Sequence, residues 1–175
     1  MKVLLNIGSL FFGGIQFLAI VGLIIFGIIK IIQLMKKNNL LKNKKALFVS
    51  IACIIIATAS LVLNMGWLRF GMIFMLIPVI QPILFLVINL YASQFFAESR
   101  ILRITNILFI VTYLIFWILL PDFGDMGPTY CLFNLVRNDA FTSMAFVVSG
   151  IAGITHIVFC VLQIIQFVKI KKQGQ

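Results

Sequence analysis

The chain has 175 residues, of which 63% are hydrophobic and only 10% charged, and its net charge is +10. A mean hydropathy of +1.20 excludes a water-soluble globule, because too few polar residues exist to cover one. With no soluble basic module, the positive charge is assigned to the ends of membrane spans and not to nucleic acid. The expected class is all-α: a polytopic integral membrane protein, one transmembrane helical domain over 1–175 with five spans and the lipid bilayer as its first partner. Runs of Leu, Ile, Val and Phe favour helices over barrel strands, which would alternate apolar and polar residues.

The start, Met1-Lys2-Val3-Leu4-Leu5, has the look of a secretory leader. The apolar stretch that follows is too long for one and offers no small-residue cleavage site, so it is expected to be retained. The first span covers 9–35 and is glycine-rich (Gly13, Gly14, Gly22, Gly27), with Lys30 placed to snorkel. A lysine-rich loop follows, with Lys36, Lys37, Lys42, Lys44 and Lys45. Residues 46–68 carry no charge, long enough at ~1.5 Å per residue to cross ~30 Å of hydrocarbon.

The second span, 46–66, carries Ala46, Ser50, Cys53, Ala57, Ser60 and Asn64. Their alternating steps of four and three put them on one face of a helix. In lipid, small residues let backbones approach and polar ones bond across the contact, so this face is expected to pack against another helix. Arg69 divides the second span from the third, 70–96. Pro78 and Pro82, with Gln81 between them, predict a kink near mid-span that frees carbonyls. Asn89 lies on the same span. A short charged loop with Glu98, Arg100 and Arg103 leads to the fourth span, 101–120, which Pro121 ends.

The segment 121–140 is the longest polar stretch. A turn followed by a short interfacial helix from Pro128 is expected, with Tyr130, Leu132, Phe133, Leu135 and Val136 on the membrane surface. Asp122, Asp125 and Arg137 form a candidate outer-loop partner site, far short of a calcium loop. Cys131 is expected as an exposed thiol; Cys53 and Cys160 fall within spans. The fifth span, 141–168, lines one face with Ser149, Ala152, Gly153, His156, Cys160 and Gln163. His156 is the only histidine and, needing a hydrogen-bond partner in hydrocarbon, should face the interior, with Gln81 at a similar depth. Gln81, His156 and Asn89 are the candidate intramembrane polar site.

Ten basic residues (Lys36, Lys37, Lys42, Lys44, Lys45, Arg100, Arg103, Lys169, Lys171, Lys172) fall on one side of the spans, and three (Lys2, Arg69, Arg137) on the other. The positive-inside rule then predicts the N-terminus outside and the C-terminus inside, with Trp67 and Trp117 at the outer interface. Abundant Ile, Phe, Lys and Asn point to an AT-rich bacterial genome, and so to a bacterial plasma membrane.

No metalloprotease, nucleophile-elbow, phosphate-loop or dinucleotide motif is present, and no metal or cofactor is expected. The leading expectation is a non-catalytic protein acting through a membrane-protein partner or a second copy of itself: an accessory subunit, an immunity-type protein or a regulator. The alternative is a small transporter or channel subunit with a path by Pro78, Gln81, Pro82 and His156. A membrane enzyme using Asp122 or Asp125 beside Arg137 is a third.

Overall fold

The computed structural model describes residues 2–37, 43–64, 66–123 and 129–173. Six α-helices follow one another: α1 (Lys2–Lys37), α2 (Lys44–Leu63), α3 (Trp67–Phe74), α4 (Ile77–Ala92), α5 (Arg100–Leu119) and α6 (Asp139–Gln173), with a 3₁₀ turn at Ser93–Phe95. Among the described residues, four stretches are long and apolar enough to cross a membrane: Lys44–Leu63, Ile77–Phe95, Arg100–Leu119 and Asp139–Ile170. Large side chains such as Phe48, Ile55, Ile101, Ile107, Val147 and Ile154 are exposed along them, an exterior that suits hydrocarbon and not water.

The helix ends follow local chemistry. The Asn43 side chain accepts from the Ala46 N–H at 3.1 Å and starts α2, and Ser99 does the same for α5 from the Leu102 N–H at 3.2 Å. Asn138 caps α6 by accepting from the Phe141 N–H at 3.1 Å, with Asp139 favourably placed in the positive first turn. The lysine-rich end of α1 and start of α2, the arginine-rich start of α5 and the basic end of α6 define what is called the lysine end. The opposite pole is the Arg69 end.

α4 and α5 form the centre. α1 packs on α4, α2 on both, and α6 runs along α5 while touching α4 only lightly. Gly27 makes the first contact close, since a Cβ there would stand 2.7 Å from Ile83 Cδ1. Gly153 does so for α6, where a Cβ would meet the Phe116 ring at 2.9 Å. The core stacks Phe85 on Tyr113 (centroids 4.0 Å apart) and Phe109 on His156 (4.3 Å), with Ile54, Leu61, Leu86 and Trp117 around them.

Four expectations are corrected. The third span is not one kinked helix over 70–96. That stretch holds two helices, α3 and α4, broken at Met75 and Leu76, where Leu76 takes the left-handed conformation (φ 56°), and the part long and apolar enough to cross a membrane is Ile77–Phe95. Pro78 lies in the first turn of α4, where its missing N–H would have had no partner, so Pro82 alone interrupts the ladder. Secondly, the interfacial helix is absent from the described part of the 121–140 loop. Asp122 pairs with Tyr130 and Cys131 with Val136 as isolated bridges, around a turn in which Leu132, Phe133 and Asn134 all have positive φ. Thirdly, Cys131 is fully buried, under that turn and not on the surface. Fourthly, Trp117 is buried, with its carbonyl used inside the bundle, so only Trp67 is on the exterior.

Candidate functional site

Three gatherings of polar side chains bear on the candidate residues. At the Arg69 end, Arg69 (0% exposed) and Asp122 (1%) are both buried. The Asp122 carboxylate accepts from the N–H groups of Gly66 (3.0 Å), Leu68 (2.9 Å) and Arg69 (2.9 Å), which open α3, and from its own neighbour Phe123 (2.8 Å). A negative group thus sits on the positive end of a helix. The Arg69 guanidinium donates to the carbonyls of Ser60, Trp117 (3.1 Å) and Leu120 (2.6 Å), where α2 and α5 end, so the cation lies on two negative helix ends. Its Nε is 3.9 Å from Asp122 Oδ2, an ionic contact too long for a hydrogen bond. Burial lowers the Arg69 pKa to about 10, and the Asp122 charge works against that shift. Gly66 is required here, because a Cβ would stand 2.5 Å from both Asp122 Oδ1 and the Phe123 carbonyl.

The Asn134 N–H donates to Asn64 Oδ1, fixing the left-handed turn to the end of α2. Arg137 is exposed and donates to Asn134 Oδ1 at 3.0 Å. The outer-loop site therefore does not assemble among the described residues: Asp122 is spent inside, Arg137 faces out and Asp125 lies outside the described residues.

Towards the lysine end, Asn89 on α4 donates to Ser50 Oγ and, at 3.4 Å, to the Ala46 carbonyl of α2. Its Oδ1 accepts from Asn106 on α5 at 2.6 Å. Nearby, Gln163 of α6 donates to the Thr105 carbonyl at 3.3 Å. These bonds tie α2, α4, α5 and α6 together. The α2 stripe of Ala46, Ser50, Cys53, Ala57, Ser60 and Asn64 is buried throughout and serves both clusters, Ser50 the lower and Ser60 and Asn64 the upper. Asn89 belongs with this network and not with Gln81 and His156.

The third place is a groove of about 580 Å³ between α4 and α6, floored by α5. Ile80, Leu84, Ile154 and Ile157 form its exposed rim, and Phe85, Phe109 and Phe116 its floor. Gln81 and His156 both line it. They share the space without a direct hydrogen bond to each other. His156 Nδ1 lies 3.1 Å from the Phe109 carbonyl; a carbonyl can only accept, so Nδ1 carries the proton and Nε2 of the neutral ring is an acceptor. Gln81 Oε1 is buried with no partner. Pro78 and Pro82 are buried away from the groove lining. Gly150 also lines it, and a Cβ there would meet nothing within 4 Å.

Sequence reasoning missed the roles of Arg69 and Gly150. A glycine three residues before Gly153, on the same side of the helix, was the available signal for the second; the first had none. Among the described residues no group of His, Cys, Asp and Glu converges as a metal site. No family model matches the chain, and neither a curated protein nor a solved structure is significantly similar to it.

Proposed function

We propose that this is a non-catalytic plasma-membrane protein that takes an apolar guest laterally from the bilayer into the groove between α4 and α6. The single observation that carries the reading is that groove. Its lining is almost wholly apolar, its rim opens on the bundle's outer surface, and two polar side chains from different helices stand in it. Its volume lies within the ~300–1,000 Å³ of small-molecule sites. This is the transporter-type alternative in a drier form. The supporting geometry is a lateral pocket at Gln81 and His156, with the prolines acting on helix shape only.

The proposed topology has five crossings, α1 included, with the N-terminus outside, the lysine end inside and the Arg69 end outside. Its support is the charge asymmetry between the two poles. Cysteine placed at Leu135, the most exposed side chain of the turn (81%), should react with an impermeant thiol reagent in intact cells; reaction only after permeabilisation reverses the orientation. For the groove, a diazirine-bearing alkane activated in native membranes should label peptides of α4 and α6, and Gly150→Leu should abolish that labelling. Labelling spread evenly over the lipid-facing helices would sink the reading.

A second reading, recognition by a protein partner, is favoured by the outer turn. Leu132 and Phe133 hold left-handed backbone at ~1–2 kcal/mol each, and Leu135 and Arg137 stand exposed beside them. Retrieval of one membrane protein by wild type, lost on Leu135→Asp with Arg137→Glu, would establish it.

A further inference from the structure

Resting on the groove reading above, we infer that the guest is a neutral lipid-like molecule with a hydroxyl head, seated with that head between Gln81 and His156. The head group follows from the hydrogen bonds left open. His156 is held at Nδ1 by the Phe109 carbonyl, so its Nε2 needs a donor. Gln81 Oε1, buried and unpartnered, needs one too, while the same amide offers N–H donors. Exchanging the oxygen and nitrogen of the amide still leaves one acceptor and one donor on the Gln81 side chain. A hydroxyl both donates and accepts, and so serves either setting. A hydrocarbon leaves every one of these groups unpaired. A carboxylate cannot donate to His156 Nε2, and among the described residues no cation lines the groove to balance its charge.

The body of the guest follows from the walls. Along α4 the lining runs from Ile77 to Ile88, and along α6 from Gly150 to Cys160, ~15 Å at the helical rise. Apart from Gln81 and His156 those walls are apolar, which suits an extended apolar chain. Gly150 keeps the wall low on the α6 side: its missing side chain is open space.

The experiment uses the full chain in detergent micelles or nanodiscs with tritiated dodecanol as the probe, and dodecane, dodecyl methyl ether and dodecanoate as competitors. Dodecanol should bind saturably. Gly150→Leu should weaken it at least tenfold while leaving thermal unfolding unchanged. Gln81→Leu and His156→Phe should each weaken it about fivefold, as for one lost hydrogen bond. The ether, which cannot donate, and dodecane should compete at least fivefold less well than dodecanol. Should Gly150→Leu unfold early, Ile157→Trp at the rim is the second blocking variant. If all four molecules compete equally and the blocking variant excludes them, the groove reading stands and the hydroxyl inference falls. Preferential binding of dodecanoate also overturns the inference. If none binds saturably, the groove reading itself fails.

Discussion

The Arg69 end and the groove between α4 and α6 handle buried polarity in opposite ways. At the Arg69 end two full charges are taken out of water, yet each is met by helix termini of the other sign, and the Asp122 carboxylate collects four N–H groups, leaving Arg69 Nε and Trp117 Nε1 as enclosed donors without a hydrogen bond. In the groove only neutral groups are present, yet a Gln81 oxygen goes without any partner and His156 keeps an acceptor free. The difference teaches where to look for rigidity and where for binding. Satisfied charge fixes three helix ends and one loop in place. Unsatisfied neutral polarity beside open apolar space is a standing invitation to a ligand.

The largest expected effect lies at the Arg69 end. Asp122→Ala removes one partner of a buried pair and leaves the Arg69 cation uncompensated, so a loss of ~3–5 kcal/mol is expected in reversible unfolding from mixed micelles. Cys131 supplies a local readout. Burial raises its thiol pKa and shields it, while Arg69 pulls the other way. At pH 8 the wild-type thiol is therefore largely protonated and inaccessible, and alkylation is expected to be slow. In Asp122→Ala it should speed up together with the loss of stability. A change below ~1 kcal/mol with no gain in labelling would break the comparison, because the pair would then be ornamental.

Gly66→Ala comes next. The added carbon would collide with Asp122 Oδ1 and the Phe123 carbonyl, for an expected loss of ~1–3 kcal/mol. Gly71→Ala, whose Cβ would meet nothing within 4 Å, should instead be neutral or stabilising by up to ~1 kcal/mol through helix propensity. Equal losses at both positions would show that the effect is generic to glycine and not tied to the carboxylate. Asn89→Ala follows, at ~1 kcal/mol for bonds between helices in a membrane environment, measured in the same unfolding assay.

Much of the helical layout is legible in the residues themselves. The steps of four and three along α2 mark its buried face, Pro121 marks the end of α5, and a lone histidine in an apolar run has to turn inward. What is not legible has a common cause. The Arg69–Asp122 contact joins residues 53 apart in sequence, and read locally each is only a charge in an outer turn. The break at Leu76 and the left-handed Leu132 and Phe133 fall on residues that give no turn signal; neither glycine nor proline stands there, and tertiary contacts impose the backbone. Gln81 and His156 share a groove because α6 leans on α5, with Gly153 against Phe116, and touches α4 only lightly. That is a fact of packing between three helices, which no single helix records.

The smallest effect on stability is the most informative. Gln81→Leu keeps the approximate size of the side chain and deletes a buried amide oxygen that has no partner. An unsatisfied buried polar group costs ~1–3 kcal/mol, so the variant should be no less stable than wild type and up to ~1 kcal/mol more stable, by thermal unfolding without added ligand. The same change is expected to weaken the guest. A residue whose removal helps the empty protein and harms the occupied one is there for the occupant, since packing alone would never retain it. Loss of more than ~1 kcal/mol in the empty protein would mean that the amide is already bonded within the bundle. The groove would then be an ordinary seam between helices.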